Sequence, residues 1–247
     1  MKHSKISYIA LMLLIKYYLA DISPKKAHMI LYFKGIDITI KSIHVYYKKF
    51  MMILNIYVKD EMRNIMLEGP VEIDECMIYK IKRGINRRGR LGRIRTWLFG
   101  LKCRTSSRII LYPVLERTRT KLLQIILRHV RREALIYSDC WSAYVNNPVN
   151  PKQSYLRPLG YYHHFVNHDY QFVSQIFPDI HINGIERVWR SFKNYIREFQ
   201  PKKFLDHYIS KFYLNRNINK GLDQFELMTE LLANERNRYL RMYNVVI

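Results

Sequence analysis

Ten residues, Val71-Glu72-Ile73-Asp74-Glu75-Cys76-Met77-Ile78-Tyr79-Lys80, limit what this chain can fold into more than any other stretch. Apolar side chains at Val71, Ile73, Cys76 and Ile78 surround acids that a solvated surface strand does not need. Alternation about β-branched residues predicts a strand buried on at least one face. A carboxylate there is costly unless something pairs with it, and a metal ion is a common partner. A strand edge with exposed carboxylates fits the same pattern, so the reading turns on whether other acids converge. Two do: the apolar run Ala134-Leu135-Ile136-Tyr137-Ser138 ends at Asp139, and Glu186 opens an amphipathic helix.

The 247 residues suffice for one large domain, or for a catalytic domain with a small accessory one. Lys and Arg number 42 against 20 Asp and Glu, a formal net charge of +22, while 49% hydrophobic content excludes a disordered basic tail. A folded, strongly positive surface points to nucleic acid before membrane. Cys76, Cys103 and Cys140 are widely spaced and odd in number, which disfavours a disulfide framework or a cysteine zinc site and fits a reducing intracellular compartment. That compartment is the nucleus of a eukaryote or the cytoplasm of a bacterium. The apolar run Ile9 to Ile15 is broken by Lys16, short of the roughly 20 residues a spanning helix needs. We therefore read it as a core helix and expect no membrane partner.

Residues 1–65 read as helical. Ser23-Pro24 pairs an N-cap with a proline at the first helical position of a helix to about Phe33; Gly35-Ile36-Asp37 breaks it, and a second helix is expected from Thr39 to Leu54. Two helices about a tight turn fit a helix-turn-helix presenting Lys41, Ser42, His44, Lys48 and Lys49 to DNA, with Ile40, Ile43 and Tyr47 inward. An ordinary helical hairpin with a solvated basic face fits equally.

From Gly69 strands are expected over 70–81, 96–103 and 108–115, the first two joined by a basic loop, Arg83 to Arg90. Lys80 through Arg132 holds 17 Lys and Arg against one acid, Glu116. Solvated charge runs mix signs, so this bias favours a phosphate-binding surface, with Arg83, Arg87, Arg88 and Arg90 as DNA contacts. A helix over 118–130, the strand ending at Asp139, a proline-rich loop over 146–160, a strand over 163–168 and a helix over 185–199 follow. That last helix carries Glu186, Arg190, Lys193 and Arg197 on one polar face, and we add Asn183 and Arg190 to the DNA-contacting set. The order is close to the ribonuclease-H-like fold: an α/β mixed sheet flanked by helices, here behind an N-terminal all-helical region. In that fold the first and fourth strands are neighbours, which would set Asp74 beside Asp139 with Glu186 approaching from the packed helix. The expected organisation is 1–65 helical, 66–220 catalytic and 221–247 a helical extension.

Cleaving or transferring a phosphodiester needs a deprotonated nucleophile and stabilised charge on the phosphate, which two Mg²⁺ ions roughly 3.5–4 Å apart supply. Mg²⁺ takes carboxylate oxygens, and Mn²⁺ is an accepted substitute in oxygen sites. Three carboxylates, Asp74, Asp139 and Glu186, suffice to hold the pair, and without metal their repulsion would raise at least one pKa. Lys193 shares the helix face of Glu186 and is placed to meet the phosphate. Glu75 follows Asp74 directly, points to the other side of the strand and is left out of the site.

Val71-Glu72-Ile73-Asp74-Glu75, Trp97-Leu98-Phe99-Gly100, Ser138-Asp139-Cys140-Trp141 with Tyr144, Val166-Asn167-His168, and His181-Ile182-Asn183-Gly184-Ile185-Glu186 with Trp189 and Lys193 occur in this order. As an ordered set they resemble the ISXO-like transposase domain, shared by Merlin-type DNA transposons and bacterial insertion-sequence relatives, over about residues 65 to 220. The resemblance implies a DDE transposase with Asp74, Asp139 and Glu186 as metal ligands and Lys193 as the following basic residue. It further implies terminal inverted repeats and target DNA as partners, and a homo-oligomer assembled on DNA. Some relatives carry Asn for the third acid, which directs attention to Asn183; with Glu186 present, the role falls to Glu186. Cys140 stands where the family usually has Gly, Ile182 where it commonly has Thr, and the cysteine zinc ribbon of many bacterial relatives is lacking.

His163, His164, His168 and His181 raise a second metal site or an HNH-like nuclease as alternatives, although isolated histidines are more often packing or surface residues. Trp97, Trp141 and Trp189 read as core or cleft wall. The leading expectation is a Mg²⁺-dependent transposase. A decayed, DNA-binding derivative is the alternative, and a ribonuclease-H-like resolvase or RNase is a third, disfavoured by the helix-turn-helix and the ordered motifs.

Overall fold

The computed structural model describes residues 6–85, 91–146, 154–166, 180–197, 205–218 and 222–242. They form two compact units: one from the segment up to Glu61 together with the segment from Asp206 onward, the other from Met62 to Leu205.

The first unit is helical. Ser7 and Ser23 cap α1 (Tyr8–Leu19) and α2 (Pro24–Phe33), their hydroxyls accepting from the Ala10 and Lys26 amides. Gly35, at φ 72°, makes the turn that leads to α3 (Ile40–Asn64). That helix runs ten residues past the expected stop at Leu54, because neither Gly nor Pro interrupts it. Ile43 and Phe50 are buried as the periodicity requires, whereas Ile40, expected inward, is exposed in the first turn. Tyr47 lies between these extremes and donates its hydroxyl to the Ile22 carbonyl at 3.0 Å.

The same unit takes in α6 (Leu205–Asn217), from Asp206 onward, and α7 (Leu222–Met242). Fully buried Lys211 on α6 donates to the carbonyls of Tyr18 and Leu19 at 3.0 and 2.9 Å and pairs with Asp21 at 3.1 Å. Asp21, at φ 56°, closes α1 locally, its amide and that of Ile22 donating to the Tyr18 and Tyr17 carbonyls, and Lys211 adds a long-range cation at the same helix end. Burial pushes the Lys211 ammonium pKa down, and Asp21 pulls it back up.

The second unit is built on a five-stranded sheet in the order β3-β2-β1-β4-β5. Its strands are β1 (Val71–Ile85), β2 (Leu91–Cys103), β3 (Ile109–Val114), β4 (Leu135–Asp139) and β5 (Tyr162–Val166). Strands β1 to β3 pair antiparallel; β4 and β5 add in parallel on the other side of β1. Helix α4 (Arg119–His129) makes the crossover from β3 to β4, burying Leu122 and Ile126, and α5 (Asn183–Arg197) packs on β1 and β2. Strand runs past the expected bounds: β1 continues to Ile85, three residues into the segment expected to be a loop, and β2 begins at Leu91, ahead of Thr96, while 86–90 lie outside the described residues. The sign of the charges hid a periodicity that the backbone still follows.

His163 on β5 is a core residue. Its Nε2 lies 2.8 Å from Ser138 Oγ and its Nδ1 2.6 Å from Ser154 Oγ. Burial lowers its pKa to about 3, with Arg157 and His164 adding to the effect. Its imidazole should stay neutral when pH falls from 7 to about 4, while exposed histidines titrate near 6.5. An NMR pH titration of the imidazole protons checks this, and a midpoint for His163 near 6.5 would be the contrary result.

Candidate active site

One face of β1 meets α5 residue by residue. The Glu72 carboxylate accepts from the Ile185 amide at 2.6 Å, Asp74 Oδ2 accepts from the Trp189 indole N–H at 2.9 Å, and the Lys193 ammonium stands beside the Cys76 thiol. The spacing has a geometric cause. Two residues of strand advance about 6.6 Å and four of helix about 6 Å, so positions 72, 74 and 76 stay in phase with 185, 189 and 193.

Glycine permits the close approach at two points. A Cβ on Gly184 would lie 2.5 Å from Glu72 Oε2, and one on Gly100, the register partner of Asp74, would lie 2.5 Å from the Trp189 ring. Gly100→Ala should therefore displace Trp189 from Asp74 and cost about 1–3 kcal/mol by overpacking. Chemical denaturation, with tryptophan emission reporting the indole's new environment, is the check; an unchanged midpoint and spectrum would contradict it.

The β1–β4 register sets the second acid. Val71 pairs with Ile136 and Glu72 with Tyr137, so continuing the same offset brings Asp74 level with Asp139. Asp139 Oδ1 accepts from the Trp141 amide at 3.1 Å, and Asp74 Oδ1 from the Glu75 amide at 2.8 Å. Glu186 lies exposed in the first turn of α5, among the helix's N-terminal amides. The Asp74 carboxyl is pushed up to about 7, first by burial and next by the charge of Asp139, with Glu186 adding a smaller push; the Trp189 and Glu75 N–H groups work the other way. Asp139 and Glu186 are thus both within electrostatic reach of Asp74. Among the described residues, no three His, Cys, Asp or Glu side chains close round a single point. Oxygen donors carrying mutually repelling charge nonetheless suit a hard divalent cation, whose binding relieves that repulsion.

Glu75 points to the opposite face, as its place in the strand requires, and there it is buried. It accepts from the Tyr144 hydroxyl and lies 3.6 Å from Arg117, whose guanidinium is held between Trp97 at 3.6 Å and Trp141 at 4.4 Å. Burial raises its pKa to about 8, against the Tyr144 hydrogen bond, with Asp139 and Asp74 contributing to the rise. It belongs to the electrostatics of Asp74 and Asp139 even from the far side of the strand.

Glu72 was given no role by its sequence context, yet it is among the most buried acids: 1% exposed, 2.8 Å from Arg104 Nε. Arg104 also donates to the His181 carbonyl and lies over the Tyr137 ring at 3.9 Å. The available signal was that Glu72 shares a strand face with Asp74; the partner on β2 was not foreseeable before the register was known.

Lys41, Lys48 and Arg190 are exposed, while Lys49 pairs with Glu235 at 3.0 Å. Asn183 opens α5, its carbonyl accepting from Arg187 Nε. Arg83 lies on β1; Arg87, Arg88, Arg90 and His168 lie outside the described residues. The half-exposed Cys140 keeps a negative φ and donates its thiol to the Val166 carbonyl at 3.2 Å, and Ile182 is buried. Neither residue takes a left-handed backbone conformation.

Strand order, mixed pairing and flanking helices define a ribonuclease-H-like fold. Residues 66–217 match the family model of the ISXO2-like transposase domain, more than half of the chain, and the protein belongs to that family. No curated protein matches the chain. Among solved structures, the HTLV-2 integrase catalytic core domain in complex with magnesium is 13% identical at a TM-score of 0.40, over 67% of this chain and 99% of that one. The catalytic core domain of BIV integrase is 14% identical at 0.38, over 69% and 98%.

Proposed function

We propose that this transposase-type domain cleaves DNA at the ends of its own element and transfers the freed strand into target DNA. One observation carries the reading: the two aspartates come level on adjacent parallel strands while the helix bearing Glu186 packs on the same face of β1. Asp74, Asp139 and Glu186 would hold two Mg²⁺ ions, or Mn²⁺, which supply activation of the attacking oxygen and neutralisation of charge at the phosphate.

The chain's own groups do the rest. Trp189 and the Glu75 amide fix the two oxygens of Asp74, and the Trp141 amide fixes one of Asp139. Such outer-shell donors keep a carboxylate aimed when it is charged. Lys193, exposed two turns along α5 from Glu186, is placed to meet a phosphate oxygen. Exposed Lys41 and Lys48 on α3 are assigned to DNA in a helix-turn-helix role, with Lys49, Asn183, Arg190 and the basic positions Arg83, Arg87, Arg88 and Arg90 as further contacts. The protein is proposed to act as a homo-oligomer on paired ends, in the nucleus of a eukaryote or the cytoplasm of a bacterium. A decayed copy would draw its support from Cys140 and Ile182; the intact set Asp74, Asp139 and Glu186 favours the active reading.

The test is cleavage of duplexes bearing the element's terminal inverted repeats, with Mg²⁺, with Mn²⁺ and with chelator. Nicking at the repeat boundary that disappears on chelation is expected. Tight binding of the repeats without nicking by either metal would favour the decayed derivative.

A further inference from the structure

Past Met77 on β1 and Trp97 on β2 the sheet narrows to two strands. Among the described residues β3 pairs with β2 only from Trp97 to Lys102, and β4 pairs with β1 only at Val71 and Glu72. The ribbon beyond carries Lys80 opposite Arg95 and Lys82 opposite Arg93, interleaved with Tyr79 opposite Thr96 and Ile81 opposite Ile94. From Tyr79 to Ile85 and from Leu91 to Thr96 there is no Asp or Glu.

The register shift between Met77 and Tyr79 produces this arrangement. Ile78 is an extra residue on β1, a β-bulge, and a bulge reverses which face each later residue occupies. On an unbroken ladder Lys80 would stand opposite Ile94 and Lys82 opposite Gly92, away from both arginines. With the bulge, Lys80, Lys82, Arg93 and Arg95 all fall on one face and the apolar pairs on the other.

Such a layout opposes folding when alone. Two-stranded ribbons are marginal in water, and like charges directly opposite each other destabilise a pair. Charges that merely keep an edge strand from aggregating need not share one sign or one face. A polyanion resolves the conflict, and a two-stranded ribbon fits the roughly 12 Å major groove of a duplex.

We infer that the β1–β2 ribbon is a duplex-DNA-binding element, gripping phosphates through Lys80, Lys82, Arg93 and Arg95. The inference deepens the proposed function by naming where on the catalytic unit the duplex is held. It adds positions distinct from Arg83, Arg87, Arg88 and Arg90.

The test uses the full chain, a short random-sequence duplex and no divalent metal, with anisotropy followed against salt. In the fourfold variant Lys80→Gln, Lys82→Gln, Arg93→Gln, Arg95→Gln, the slope of log affinity against log salt should shrink by about 3 to 4, at roughly 0.9 per phosphate contact. Affinity at about 0.15 M salt should fall at least tenfold. The melting temperature should not fall, because repulsion has been removed. A slope within one of wild type overturns the inference. So does an equal loss in the control Lys16→Gln, Lys25→Gln, Lys26→Gln, Lys34→Gln, which removes as much charge from the exposed lysines of α1, α2 and the residue after α2. If the fourfold variant melts early, Lys80→Gln with Lys82→Gln is read instead, for a slope change of about 2; no change again overturns it. An equally tight single strand of the same length would redirect the assignment from duplex to single-stranded DNA. Because binding is read without metal, failure of cleavage and failure of the ribbon are separate results.

Discussion

Replacing Asp139 with Ala should abolish metal-dependent cleavage while leaving the fold at least as stable as before. Losing a residue that only orients a metal ligand costs about 10–100-fold, so losing a ligand should exceed that, to roughly a thousandfold. Stability should move the other way. The charge of Asp139 is the second cause, after burial, that holds the Asp74 carboxyl near 7, and it also raises Glu75. An acid whose pKa is higher folded than unfolded keeps its proton longer in the native state. Its stabilisation is complete below about pH 4 and is lost as pH climbs through the folded values near 7 and 8. Without metal, Asp74 and Glu75 should therefore make wild type less stable from pH 5 to 8, and Asp139→Ala should flatten that trend. Mg²⁺ should restore wild type more at pH 8 than at pH 5, because it competes with the proton at Asp74. Melting curves across pH, with and without Mg²⁺, read all of this. An equal Mg²⁺ response in wild type and Asp139→Ala would put the metal elsewhere.

The largest effect on stability is expected from Arg104→Met. Removing one member of a buried ion pair costs about 3–5 kcal/mol, because its partner's charge is left in a poor solvent. The Arg104 side chain is 20% exposed and that of Glu72 2%, so water reaches the pair from the arginine side and the lower end, about 3 kcal/mol, is expected. Glu72→Gln should cost less, since an amide oxygen still accepts from the Ile185 N–H. Replacing both residues, as Glu72→Leu with Arg104→Met, should recover part of the loss by removing the orphaned charge. Urea denaturation of the three variants decides it; a double variant no better than Arg104→Met would mean that the pair acts through packing alone. Cleavage should fall in Arg104→Met as well, because Glu72 and Arg104 pin the first turn of α5, where Glu186 sits.

The outline of the fold was legible because it rests on periodicity. Alternation over Val71–Ile78, the apolar run ending at Asp139 and the helical stripe from Ile185 to Ile196 each name an element and its buried side from local spacing. Asp74 and Asp139 stood out for the same reason, each a carboxylate in or ending an apolar run, whereas Glu186 lies on a polar helix face and was marked by its place at the helix start and in the family motif. The basic ribbon misled, because charge suggested a loop where the backbone continues as strand to Ile85. The long α3 outruns the expected stop at Leu54 because buried Val58 and Met62 carry its apolar face onward and no Gly or Pro breaks it.

What no local pattern could supply was pairing at a distance. The roles of Glu72 and Arg104 exist only once β1 and β2 are in register. Gly100 and Gly184 read as ordinary until Trp189 and Glu72 are laid against them. Lys211 carries no local mark of its contact with the Tyr18 and Leu19 carbonyls at the end of α1. From the sequence alone came the kinds of group this protein gathers and the elements that carry them. The tertiary structure alone decided which groups meet, because burial, ion pairing and pKa depend on separations in space that sequence spacing does not encode.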